Sequence, residues 1–231
     1  MGDEGAPRPS STRPRTLVLL RHGETDWNVE ERAQGHADVP LNAVGHAQAE
    51  AVAQALAGIG AVRLWSSDLM RAMQTAERVA ATTGLAIEPD PRLREYDVGR
   101  RSGLTLPEFA ATYPEAFSSW RRGDGRRLVR GEESTEQVRS RIVPALHDCL
   151  GALSAGQTGI AVLHGGCLKV GLMGLLGWPG ELSRSLQGME NCGYSMLSDS
   201  GPQGEVRLTS YNEKAGGLRH GPDFAADAPV G

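Results

Sequence analysis

A chain of 231 residues is long enough to bury a substantial core, either as one large domain or as two small ones. With 39% hydrophobic and 23% charged residues it has the make-up of a globular protein, neither disordered nor fibrous. The net charge of −4 argues against a nucleic-acid binder, so any anion site has to be built locally.

Residues 1–14 are polar and Pro-rich and read as a disordered leader, with nothing resembling a secretory signal. No run approaches the roughly 18 apolar residues of a membrane-spanning helix. The three cysteines, Cys149, Cys167 and Cys192, are odd in number and lack metal-type spacing, so reduced thiols in a cytoplasmic protein are expected. TLVLL (16–20) is a continuous apolar run, the pattern of a strand covered on both faces. It leads directly into Arg21, His22 and Gly23. From Ala43 to Ile59, Val44, Ala51, Val52, Ala55, Leu56 and Ile59 recur at helical spacing, with Gly58 and Gly60 as a stop.

AVRLWSS (61–67) predicts the next strand. The following helix carries Leu69, Met73, Ala76, Val79 and Ala80 on one face, with Ser67 or Asp68 as its cap and Gly84 as its end. Residues 103–123 suggest one or two short helices. Ser134 and Gln137 stand at capping-box spacing before a long helix, where Pro144 predicts a bend or a break near Ser140. GIAVLHGG (159–166) is a second buried strand ending in a polar turn, followed by an apolar helix and two late strands, YSMLS and VRLTSYN. The alternation predicts a single α/β domain over 15–217, with helices on both faces of a mostly parallel sheet, and a flexible tail over 218–231. Ligands of such sheets sit beyond the carboxyl ends of the strands, which places His22, His164 and Arg71 on one rim.

Gly23 suits a close approach of ligand to backbone, or a strained turn. Arg71, in the first turn of its helix, opposes the helix dipole unless an anion sits between them. Glu95, in the arginine-rich loop RLREYDVGRRSG, is either a partner of Arg92 or Arg94 or a general acid. Two arginines, two histidines and a carboxyl make a set that needs no metal. The guanidinium groups can bind a phosphoryl dianion, an imidazole can attack phosphorus, and the carboxyl can protonate the departing oxygen. A dication site would not recruit two arginines as neighbours.

The blocks RHGET, SSDLMRAMQTA, the Glu within RLREYDVG, and LHGG resemble the histidine phosphatase superfamily, in its phosphoglycerate-mutase-like branch, and follow the family's order from about Thr16 to Asn212. The resemblance implies a three-layer α/β/α sandwich and a phosphohistidine mechanism without metal or cofactor. It makes His22 the nucleophile and Glu95 the acid and then the base, and has Arg21, Arg71 and His164 hold the phosphoryl oxygens. Asn28 and Gln34 match positions that touch the phosphate or substrate, and Thr25 and the Gly165 backbone lie near it. The implied partner is a small phosphorylated metabolite, with no nucleic acid and no membrane.

Mutases of the family carry a longer, lysine-bearing insertion after the acid residue. The short span here resembles the phosphatases, and LQGMENCGYSMLS is similar to actinobacterial members that include glucosyl-3-phosphoglycerate phosphatases. Mutase-type transfer and a non-catalytic phospho-ligand-binding domain are the alternatives. Arg101 stands where many relatives carry an aromatic residue. Arg121, Arg122, Arg126, Arg127 and Arg130 form either a solvated loop or a second anion site, and Leu172, Leu175, Leu176 and Trp178 suit either a homodimer contact or the core.

Overall fold

The computed structural model describes residues 13–123, 128–200 and 205–215. The predicted tail over 218–231, and all but the last two residues of the predicted leader over 1–14, lie outside the described residues. Six strands form one sheet: β1 (Thr16–Arg21), β2 (Ala61–Ser66), β3 (Ile87–Pro89), β4 (Thr158–Leu163), β5 (Tyr194–Ser198) and β6 (Arg207–Glu213), in the order β3-β2-β4-β1-β5-β6. The three ladders from β3 to β1 are parallel, and β5 runs antiparallel to both its neighbours.

The apolar run of β1 is explained by two cores. Leu17 and Leu19 face one side, where they meet α6 (Thr135–Gly151) and α7 (Gly165–Leu175) through residues such as Ile142, Leu146 and Leu168. Val18 and Leu20 face the other, against α2 (Ala43–Leu56) and α3 (Met70–Thr83) through Val52, Leu56, Ala72 and Val79. Since side chains alternate across a strand, a strand covered on both faces must be apolar throughout. The result is a three-layer α/β/α sandwich. Leu172 and Leu175 are buried within the first core and Leu176 packs against it, so core packing accounts for these three. Cys149, Cys167 and Cys192 are buried free thiols. No helix among the described residues is long and apolar enough to cross a membrane.

A short helix, Asp26–Val29 (α1), and two more, Leu106–Thr112 (α4) and Pro114–Arg122 (α5), complete the fold. Ser134 and Gln137 do form the capping box of α6. Two local expectations are corrected. The α6 helix runs unbroken through Pro144, whose ring forgoes one bond in a helix otherwise fixed by packing on both α7 and the sheet. Neither Ser67 nor Asp68 caps α3. Its N-cap is Leu69, and the Asp38 carboxylate accepts from Met70 N at 2.6 Å instead.

Gly23 also serves a different neighbour from the one expected. Its φ is not positive, and a Cβ there would stand 2.5 Å from the Gly45 carbonyl oxygen. A Cβ on Gly45 would in turn collide with the Glu24 carbonyl. The two glycines let α2 cross the loop after β1 in backbone contact, which fixes where β1 delivers its last residues. Gly45→Ala is expected to cost about 2–3 kcal/mol in urea unfolding through this overpacking. Gly58→Ala, with nothing within 4 Å of its Cβ, should leave stability unchanged or raise it by up to about 1 kcal/mol. Equal effects of the two would refute the crossing as the constraint.

Candidate active site

The parallel β1–β4 register pairs Arg21 with Leu163, and His22 N donates to Leu163 O at 3.0 Å. The residues just past the two strand ends, His22 and His164, are thereby brought side by side, their ring centroids 5.1 Å apart. Both are almost completely buried. The Nδ1 of His22 lies 2.7 Å from Gly23 O. A carbonyl can only accept, so the proton sits on Nδ1 and Nε2 carries a lone pair. Burial foremost, then the charges of Arg71 and Arg21, holds the His22 imidazole well below its ordinary 6.5.

Arg71, in the first turn of α3, is buried and reaches three acceptors. Its Nη1 donates to Ala37 O and Nη2 to Gly35 O, both at 2.8 Å, while Nε donates to His164 Nδ1 at 3.2 Å. Of its five N–H groups, two have no partner among the described residues. Burial lowers this guanidinium to about 10, with Glu95 and then Asp38 among the charges opposing the fall. The anion expected at the α3 N-terminus is thus replaced by Asp38, and Arg71 points into the rim.

His164 accepts from Arg71 at Nδ1, which leaves its proton on Nε2, donating to Ser67 Oγ at 2.8 Å. Burial, followed by Arg71, again keeps it neutral well below 6.5. As placed, neither of its nitrogens is free. Arg21 donates from Nη1 to Met189 O at 2.5 Å, and its buried Nε has no partner among the described residues. Gly165 lies against this guanidinium, its would-be Cβ 3.4 Å from Nε.

Glu95 is not paired with its neighbouring arginines. Arg94 binds Asp68, and Arg92 binds Asp90 and Asp148. Its carboxylate caps α7 instead: Oε1 accepts from Cys167 N (2.8 Å) and Tyr96 N (2.9 Å), and Oε2 from Gly166 N (2.8 Å). This is the anion site that a helix N-terminus offers, occupied by a residue of the chain itself. Gly166 is required for it, because a Cβ there would stand 2.6 Å from Oε1. Glu95 is close enough to Arg21 and Arg71 to favour the charged form of both.

Thr25 and Asn28 form the capping box of α1, with Thr25 buried and bonded to Asn28 through side chain and backbone. Asn28 Oδ1 also accepts from Asn191 Nδ2 at 3.3 Å, and Asn191 reaches the His22 carbonyl at 3.1 Å. The Gln34 Oε1 atom is buried without a partner. Arg101 stacks on Phe109 (5.0 Å) and Trp120 (5.9 Å) and lies 3.6 Å from Glu132. Of the arginine cluster, Arg121, Arg122 and Arg130 are exposed, and Arg126 and Arg127 lie outside the described residues. Ser67, which the sequence offered only as a helix cap, and Gly166 and Asn191, to which it assigns no role, are site residues that each act on a residue distant in the chain.

A family model described as the histidine phosphatase superfamily (branch 1) matches residues 17–213. Glucosyl-3-phosphoglycerate phosphatase of Mycolicibacterium vanbaalenii is 36% identical over 192 residues, covering 80% of this chain and 85% of that protein. A probable phosphoglycerate mutase of Yersinia pestis is 40% identical over 186 residues, covering 78% and 83%. Among solved structures, a mycobacterial glucosyl-3-phosphoglycerate phosphatase in complex with VO3 superposes with a TM-score of 0.77 at 35% identity, covering 86% of this chain and 98% of that one.

Two histidines held neutral by burial make folding depend on pH. Below 6.5 the unfolded chain takes up protons that the folded site refuses, so stability is full above 6.5 and falls as pH drops. The slope contributed by each imidazole is at most about 1.4 kcal/mol per pH unit. Urea unfolding between pH 8 and 5 should show this fall, and His164→Gln should flatten it; an unchanged slope would contradict the assignment.

Proposed function

The chain belongs to the histidine phosphatase superfamily, and from that premise we propose that it hydrolyses a phosphomonoester of a small metabolite through a covalent phosphohistidine on His22. The observation that carries the reading is the His22 tautomer. With Nδ1–H given to Gly23 O, the Nε2 lone pair is free beside two buried guanidinium groups that keep unused donors.

The Nε2 lone pair forms the N–P bond as the ester P–O bond breaks. Arg21 and Arg71 hold charge that spreads over the phosphoryl oxygens, from positions fixed before the substrate arrives. The departing oxygen takes its proton from Glu95. Of the carboxyl's two oxygens, Oε2 has the fewer N–H partners, one against two, and we assign the proton transfer to it. In the second half, Glu95 removes a proton from water, the new P–O bond forms, and His22 leaves as the neutral imidazole.

His164 joins the phosphoryl ligands by a change of partner. The Ser67 hydroxyl can accept from Nε2 or donate to it. When a phosphoryl oxygen replaces Arg71 Nε at Nδ1, the ring proton moves to Nδ1 and Ser67 becomes the donor. Asn28, tied through Asn191 to the His22 carbonyl, and Gln34, whose buried Oε1 has no partner among the described residues, are the further residues we assign to the phosphate or substrate.

Hydrolysis is favoured over mutase-type transfer by the segment between Glu95 and α6, whose described residues carry the short helices α4 and α5 and a single turn at Gly99–Arg101, and whose sequence has no lysine. The named mycobacterial phosphatases support a phosphorylated metabolite as substrate. Metal independence is supported by the donor set. The two guanidinium groups at the rim would repel a cation.

With p-nitrophenyl phosphate, turnover should persist in excess EDTA and vanish in His22→Ala. Arg71→Ala should lower kcat by about 10²–10³-fold, the loss of one preorganised donor to the transition state. Activity lost to EDTA would overturn the metal-free mechanism. Interconversion of phosphoglycerate isomers without phosphate release would overturn the hydrolase.

A further inference from the structure

Glu95 has to hold its proton-carrying oxygen against a leaving group, yet it sits in a loop with no sheet or helix hydrogen bonds of its own. Three backbone N–H groups fix its carboxylate. The loop itself is fixed by a side chain on α6, Arg141, which takes no part in the phosphoryl transfer. Its Nη1 donates to Arg92 O at 2.9 Å and Arg94 O at 2.6 Å, and Nη2 donates to Glu95 O at 2.7 Å. The other donors go to Glu133, Nε to Oε1 at 2.9 Å and Nη2 to Oε2 at 2.7 Å. All five N–H groups of the guanidinium are thus committed.

Glu133 extends the grip. Its Oε2 also accepts from Asp97 N, and its own N donates to Asp97 O, both at 2.8 Å. His36 Nε2 lies 2.9 Å from Glu95 O, opposite the arginine. The side chains of this one ion pair therefore hold the loop from Arg92 to Asp97 at three carbonyls and one peptide N–H, and the Glu133 backbone holds a fourth carbonyl. Arg141 and Glu133 keep 19% and 21% exposure, so the pair is largely shielded from water and its geometry is well defined.

We infer that Arg141, braced by Glu133, is the positioning residue of Glu95: it clamps the backbone of the acid loop to α6 so that the carboxyl meets the departing oxygen. The inference rests on the reading of Glu95 as proton donor. A guanidinium is suited to the task because its planar fork reaches several carbonyls at once, which a lysine ammonium does with less geometric control. A shift of an ångström in a proton donor is enough to weaken general-acid catalysis, which is worth about 10²–10⁴-fold.

A purely structural role and a positioning role differ in their dependence on the leaving group. p-Nitrophenolate departs readily without a proton, whereas the alkoxide of glycerol phosphate needs one. The quantity to measure is kcat/KM, which reports transfer to His22 and not the later hydrolysis. Arg141→Gln should lose about 10²-fold on glycerol phosphate and under about 5-fold on p-nitrophenyl phosphate. Arg141→Lys should recover part of the difference, and Glu95→Gln should show the same selectivity more strongly. If Arg141→Gln does not fold, Glu133→Gln reads the same selectivity at smaller size. Equal losses on both substrates, or no loss, in the variant that folds would overturn the clamp. An unselective Glu95→Gln would instead remove the proton-donor reading, and the clamp with it.

Discussion

The in-register parallel pairing of β1 with β4 is the constraint that sets the site. Two apolar strands, each buried on both faces, end at the same level of the sheet, so the residues just beyond them have fixed backbones and neighbouring side chains. His22 and His164 therefore face each other without any loop having to search for the geometry. The crossing of α2 at Gly23 and Gly45 pins the first of these strand ends from outside. Arg71 and Glu95 are added by the N-termini of α3 and α7 in opposite ways. The first helix sends an arginine away from its own end toward the sheet, and the second draws a carboxylate onto its end.

Charge explains why the arrangement is both reactive and costly. A protein of net charge −4 buries Arg71 and two imidazoles and keeps Arg21 and one carboxylate half-buried beside them. Desolvation lowers both guanidinium groups from their ordinary value, and the burial that keeps the histidines neutral favours an available lone pair over a cation. A phosphoryl dianion is the ligand whose charge such a cavity lacks. The carbonyls of Gly35, Ala37 and Met189 hold the arginines in place without neutralising them, which leaves their charge for the substrate.

Much of this was legible in the sequence because it rests on short-range pattern. Continuous apolar runs gave the two central strands, helical spacing gave α2 and α3, an apolar stretch after the second strand gave α7, and Ser134 with Gln137 marked the start of α6. The two arginines and two histidines could be read from their strand-end and helix-start positions, and Glu95 was picked out by the family resemblance, its loop alone leaving an ion pair with Arg92 or Arg94 equally open. What escaped was non-local or too small. The strand β3 is three residues long at the sheet edge and has no period to detect. The α3 cap comes from Asp38, 32 positions before the N–H it accepts from. Gly23 was the right residue type assigned to the wrong neighbour, since sequence shows that backbone must come close but not whose. Ser67, Asn191 and Arg141 act through hydrogen bonds across the fold, and nothing in their own surroundings in the chain announces a partner.

The claim on which the account rests is that the phosphoryl group passes through His22, and trapping tests it most directly. The enzyme would be quenched in alkali during turnover of p-nitrophenyl phosphate and its peptides read by mass spectrometry. The account predicts a gain of one phosphoryl group on the peptide carrying His22, lost on brief acid treatment and absent from His22→Ala. An adduct on another residue, or a pre-steady-state burst of p-nitrophenol with His22 unmodified, would contradict it.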